Sequence, residues 1–176
     1  PISDESAMTR RHAAYALSTI GGPAVAPLTG ILTHAQPETR TDAVTILGDI
    51  GLAAAPAIPA LIEATKDPHE DVRRRAAEAL GTVSQATPTA VPALIAALSD
   101  DHAQVRQAAT FALCRLGPQA ADAIEALEQV RDDENRYVRG DALHALERIG
   151  TPAAKDVLIR HLVPARWCPL TSPEST

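Results

Sequence analysis

Aromatic side chains are scarce: the 176 residues include one Trp, two Tyr and one Phe, which leaves little on which to stack a base or a sugar. Positive charge is short as well. Lys and Arg total 16 against 22 Asp and Glu, and the net charge of −6 argues against a nucleic-acid groove. Cysteine occurs only as Cys114 and Cys168, never as CxxC, so neither a disulfide framework nor a zinc site is indicated. The longest apolar run, Gly51 to Ile62, is short and carries Pro56 and Pro59, and no membrane span is expected from it. The opening PISDESAM lacks a basic start and an apolar stretch, so no signal peptide is expected. A soluble, reducing, cytoplasmic setting is the default expectation.

Ala, Leu, Val and Ile are abundant, and they recur. Val72-Arg73 is followed by Ala76, Ala79, Leu80 and Val83. The same run begins at Thr9-Arg10, Thr39-Arg40, Val105-Arg106 and Val138-Arg139, giving a period near 33 residues. Spacings of three and four place the apolar positions on one face of a helix. Gly21, Gly51, Gly117 and Gly150 follow the stripe, where a helix often ends in a left-handed residue. Ser84 takes that place in the third copy, at an expected cost of about 1 kcal/mol or less.

A second helix keeps the same phase. Val25, Ile58, Val91 and Ile124 are followed by Leu28, Leu61, Leu94 and Leu127, with Pro27, Pro59 and Pro92 expected in its first turn. The first copy is three residues shorter between its helices. The fifth is expected to carry a one-residue deletion that pairs Leu158 and Leu162 with Leu94 and Leu98. Such a helix pair cannot bury its own stripe and must stack on its neighbours. The expected architecture is all-α: a right-handed solenoid of about five pairs over 1–163, with repeats near 4–34, 35–66, 67–99, 100–132 and 133–163. An extended Pro-rich tail over 164–176 follows. No polar capping segment precedes the first repeat, so either more chain or a partner would have to cover that face.

Arg10, Arg40, Arg73, Arg106 and Arg139 mark one repeat each, and Asp4, Asp67, Asp100 and Asp133 stand six positions before four of them. Each Asp is placed to cap a helix and to reach an arginine of its own or the adjoining repeat. These residues read as a structural ladder rather than as ligand contacts. Arg74 and Arg75, outside the ladder, read as a solvated face.

The Asp…Val-Arg…Ala…Ala-Leu…Leu-Gly pattern resembles HEAT repeats, and its short, Ala-rich form resembles the phycobilisome-lyase type, across residues 4 to 163. That resemblance implies a solenoid whose second helices line the concave surface. Glu63, Ala93 and Ala97 would then form a shallow inner surface, with Glu125, Glu128 and Arg131 as a charged spot on it. Glu128 and Arg131, three apart, also suit an intrahelical ion pair. Trp167, the single Trp, would cover the last repeat or anchor an interface. The function implied is a non-catalytic scaffold for another protein. The alternative is a bilin lyase or chaperone-like factor acting on a phycobiliprotein, a partner this resemblance allows.

Catalytic chemistry finds little to stand on. HEAT-like deoxyhypusine hydroxylases bind two irons through His-Glu pairs, but Ala13 follows His12 where a glutamate is required. His69-Glu70 fits a helix start better. No two of the six histidines stand at the i, i+4 spacing that one helix would use for a metal. Cys114 reads as a small buried hydrophobe, and Cys168 has no sequence neighbour to activate it. No catalytic residue, metal ligand or cofactor is assigned.

Overall fold

The computed structural model describes residues 12–85 and 87–165. Helix α1 occupies residues 12–20 and α2 spans Gly22–Ile31. Three longer units follow, each a fourteen-residue helix, a 3-10 segment and a short α-helix: α3 (Pro37–Ile50) with α4 (Ile58–Ala64), α5 (Glu70–Val83) with α6 (Val91–Ala97), and α7 (Ala103–Leu116) with α8 (Ile124–Gln129). A last pair, α9 (Arg136–Ile149) and α10 (Pro152–Ala165), completes an all-helical solenoid.

The apolar stripes form one continuous core. Leu47, Leu80, Leu113 and Leu146 occupy one position of the repeat and are fully buried, as are Leu61, Leu94 and Leu127 of the short helices. Each such leucine contributes about 1.5–3 kcal/mol relative to leaving it in water. With few rings available, tight contact comes from small residues. Gly48 backs onto Ala79 and Gly81 onto Ala112, where an added Cβ would meet the neighbour at 3.2 and 2.8 Å. Thus the position eight after each ladder arginine faces the following repeat, and the position six after it faces the preceding one.

Several expectations change. Pro59 and Pro92 start α4 and α6, but Pro27 lies inside α2, because the short first linker lets that helix start at Gly22 with no 3-10 approach. In the last repeat Val157, not Leu158, is the buried residue, with Ala154 beneath it; the linker there too lacks a 3-10 approach. Helix α10 runs through Ala165, two residues beyond the expected boundary at 163, so residues 164 and 165 are helical; Trp167 and Cys168 lie outside the described residues. Of the four glycines at helix ends, Gly150 takes the ordinary left-handed conformation (φ 64°, ψ 5°). Gly51, by contrast, turns at φ 69° and ψ −138°, a region open essentially to glycine alone. Ser84 avoids that geometry with φ −93°, and α5 leaves through Gln85 and Thr87 instead. Residues Pro37–Ala64 form a run long and apolar enough by composition to cross a membrane, yet Gly51 divides it into α3 and the start of the next layer, and its inward side is core.

The ladder is a set of bridges between repeats. Arg40 donates from Nε and Nη2 to both carboxylate oxygens of Asp67, each at 2.7 Å. Arg73 does the same to Asp100 (2.6 and 3.0 Å), and Arg106 to Asp133 (2.7 and 3.0 Å). Nη1 of each arginine donates to the carbonyl six residues earlier, at 2.8–2.9 Å, so the guanidinium ties its own turn to the next one. The acid also holds its own turn: Oδ1 of Asp67, Asp100 and Asp133 accepts the amides of His69, His102 and Asn135. The acid's partner is therefore the arginine of the preceding repeat. His34, where the acid is missing, accepts the Gln36 amide through Nδ1 and keeps the turn. Asp4 and Arg10 lie outside the described residues.

Two outcomes follow from this packing. Burial alone would raise the carboxyls of Asp67, Asp100 and Asp133, but the paired guanidinium and the donated amide outweigh it and hold all three below the usual carboxylate range. A depressed folded-state pKa adds stability above the unfolded value, about 4, and loses it as pH falls through the folded value. The urea midpoint should therefore stay level from about pH 7 to 5 and fall steeply below about 4. Asp100→Asn should be less stable at neutral pH but lose less on acidification. Second, Gly81→Ala should destabilise by about 1–2 kcal/mol because Ala112 fills the space. Gly140→Ala, on open surface in α9, should stabilise by about 0.5–1 kcal/mol, and thermal melts of the two variants distinguish packing from helix propensity.

Candidate functional site

The residues expected at the binding surface are spread along the short-helix layer. Glu63 is exposed on α4 and pairs with Lys66 at 3.0 Å, and Ala93 is half-buried on α6. Ala97 is only 7% exposed, because its spacing of three from Leu94 puts it on the core stripe; its expected contact role is withdrawn. Glu128 pairs with Arg160 of α10 at 3.3 Å, and Arg131 with Asp132 at 2.7 Å. Glu125 and Glu128 do come together, with Gln129, Asp156 and Arg160, around an open groove of about 680 Å³ between α8 and α10. Glu63 and Ala93 are on other helices and do not line it. Trp167 lies outside the described residues.

The long-helix layer is different. Helices α3, α5, α7 and α9 pack directly on one another, whereas α4, α6 and α8 scarcely touch and rest on the intervening 3-10 segments. A stack spaced more tightly in one layer bends toward that layer, so the long helices face inward. This reverses the expectation that the second helices line the concave side.

Two adjoining grooves cross this inner layer. One, of about 400 Å³, runs over α3, α5 and α7 and is lined by Thr45, Asp49, Arg75, Glu78, Thr82 and Arg115. The other, of about 500 Å³, runs over α5, α7 and α9 with Arg74, Gln104, Gln107, Phe111 and Asp141. Glu78 lines both and is gripped by Arg74 at 3.0 Å and Arg75 at 2.9 Å. Gln107 donates to Asp141 at 3.2 Å, linking α7 to α9. Phe111 stands 49% exposed among these polar groups. The surface offers hydrogen-bonding side chains of both charges and one apolar ring on a backbone fixed by the core.

Sequence reasoning passed over these residues, taking Arg74 and Arg75 for a solvated face. A signal was present. They sit one, two, five and nine positions after each ladder arginine, and they differ between copies where the rest of the helix repeats: Arg74, Arg75, Glu78 and Thr82 in α5 become Gln107, Ala108, Phe111 and Arg115 in α7.

Among the described residues no group of three His, Cys, Asp or Glu side chains could hold a metal. Cys114 is buried with Sγ 3.8 Å from Nδ1 of His144, and burial pushes its thiol pKa up despite the Arg148 charge nearby, the opposite of an activated nucleophile. His69 caps α5, accepting the Asp71 amide.

Known proteins show the same framework. A designed armadillo repeat protein solved in complex with the peptide (KR)4 is similar over 88% of this chain and 82% of its own, at 20% identity and TM-score 0.68. An engineered protein is similar over 91% and 83%, at 19% identity and TM-score 0.66. The complex of CpcE and CpcF of phycocyanin lyase from Nostoc sp. PCC7120 is similar over 86% of this chain and 64% of that one, at 25% identity and TM-score 0.64. No curated protein matches in sequence. The model of HEAT repeats matches residues 25–114 and 91–166, the span over which the Arg–Asp bridges and stacked long helices are seen. With most of its length matched in this way, the chain belongs to the HEAT-repeat family.

Proposed function

We propose that this protein is a binding scaffold that holds a segment of another protein across its long-helix layer. The observation that carries the reading is the pair of adjoining grooves over α3, α5, α7 and α9, with exposed Phe111 beside polar side chains of both signs. An aromatic ring ringed by polar groups is the usual make-up of an interface anchor. The groove residues sit on helices locked by the core, so association would order little of the protein and cost little entropy. Asp49 and Arg115, on α3 and α7, make no ion pair among the described residues and would fix the direction in which a segment lies. A designed protein of this fold was solved with a peptide bound, and that analogy supports the reading.

Selection of random displayed peptides on the protein tests it. Selected peptides should bind Phe111→Asp about tenfold or more weakly, and should bind Ala96→Asp, an exposed change on α6, as they bind the parent. Loss only in Ala96→Asp would move the site to the short helices, and no enrichment would contradict the reading.

The likeness to phycocyanin lyase favours a second reading, in which the bound partner is a phycobiliprotein and the scaffold assists bilin attachment or turnover. Under it, titrating free phycocyanobilin, then bilin-bearing phycobiliprotein, should give a saturable shift in visible absorbance. An unchanged spectrum in both removes it.

A further inference from the structure

We infer, resting on the scaffold reading above, that the segment held on the long-helix layer is an extended peptide of ordered charge: a basic side chain lies over α3, an apolar one on Phe111, and an acidic one between α7 and α9. The observation is one row of side chains. Asp49, Thr82, Arg115 and Arg148 each stand nine positions after a ladder arginine, so they hold one position of α3, α5, α7 and α9 and cross the layer in a line. Along the stack the row runs acid, hydroxyl, base, base. Asp49, Arg115 and Arg148 are exposed and make no ion pair among the described residues. Helix α7 has α5 packed on one side and α9 on the other, so the exposure of Arg115 belongs to the inner surface and not to an end of the stack.

The charges of α5 beside this row are already answered. Arg74 and Arg75 both hold Glu78, and Arg74 also holds Asp71 at 3.1 Å. The row is therefore left negative over α3 and positive over α7 and α9. Such a separation selects against a segment of one sign, since a polybasic one would meet Arg115 and Arg148 and a polyacidic one would meet Asp49.

The spacing follows from the layer. Packed helices lie about 8–10 Å apart and an extended chain advances about 3.3 Å per residue, so the span from α3 to α9 takes about eight or nine residues. Phe111 stands one turn before Arg115 on the same face of α7 and is 49% exposed. The apolar residue that meets it falls about five or six positions from the basic end. The carboxylate reaches Arg115 and Arg148 about two or three positions further on. Asp141, which lines the groove beside Phe111, repels a carboxylate placed there and confines it to the arginine end.

Sequencing the peptides selected on the full chain tests the order directly. Those that need Phe111 should carry Lys or Arg about five or six positions to one side of an apolar residue, and Asp or Glu about two or three to the other. At low salt a synthetic peptide of that order should bind about fivefold or more tightly than one with its two charged residues exchanged, and the difference should shrink at about 0.5 M salt. A triple variant, Asp49→Lys with Arg115→Glu and Arg148→Glu, changes exposed positions only. It should keep the parent's circular dichroism spectrum and prefer the exchanged peptide. Selected peptides that depend on Phe111 but carry no such order overturn the inference and leave the scaffold reading standing. So does a triple variant that keeps the parent's preference. No enrichment overturns both.

Discussion

Three successive junctions of this solenoid, from the second repeat to the fifth, are each registered by one guanidinium. Nε and Nη2 of the arginine take both oxygens of an aspartate in the following repeat, and Nη1 takes two carbonyls of its own turn. The aspartate in turn holds the amide that starts its helix. Both groups are largely withdrawn from water, with side-chain exposures of 8–15% over the three bridges. A charge left unpaired there is costly, and the planar fork matches a carboxylate in one geometry only. The bridge therefore selects the stacking register, while the leucines supply most of the burial energy.

Small residues set the shape. Gly48 and Gly81 allow the long helices to lie against each other, while the short helices are held apart by 3-10 segments. Unequal spacing turns the long helices inward, and the side chains not used for packing line the inner layer. The same backbone that closes the core therefore presents Glu78, Phe111 and Arg115 without any element dedicated to binding.

Much of the fold was legible because the stripe positions recur with one period: the burial of Leu80 and Leu113, the capping by His69 and the pairing of the arginines all follow from spacing. Linker geometry was harder. Whether a 3-10 turn intervenes decides where α2 and α10 begin, and with it the place of Pro27 and the burial of Val157 over Leu158. The inner surface was misplaced for a different reason. Periodicity says which residues are packed, but the relative spacing of two layers depends on contacts such as Gly81 against Ala112, which join different repeats. Ala97 shows the cost of that gap, since a residue expected on a binding surface proved to be core.

A double-mutant cycle on Arg106 and Asp133 is the most direct measurement of the central claim. Urea unfolding of the parent, Arg106→Ala, Asp133→Ala and the double variant yields the coupling between the two side chains. A bridge that registers the repeats predicts a coupling of about 2–3 kcal/mol at neutral pH. A coupling near zero, with the single effects simply adding, would show that the stack is held by apolar burial alone.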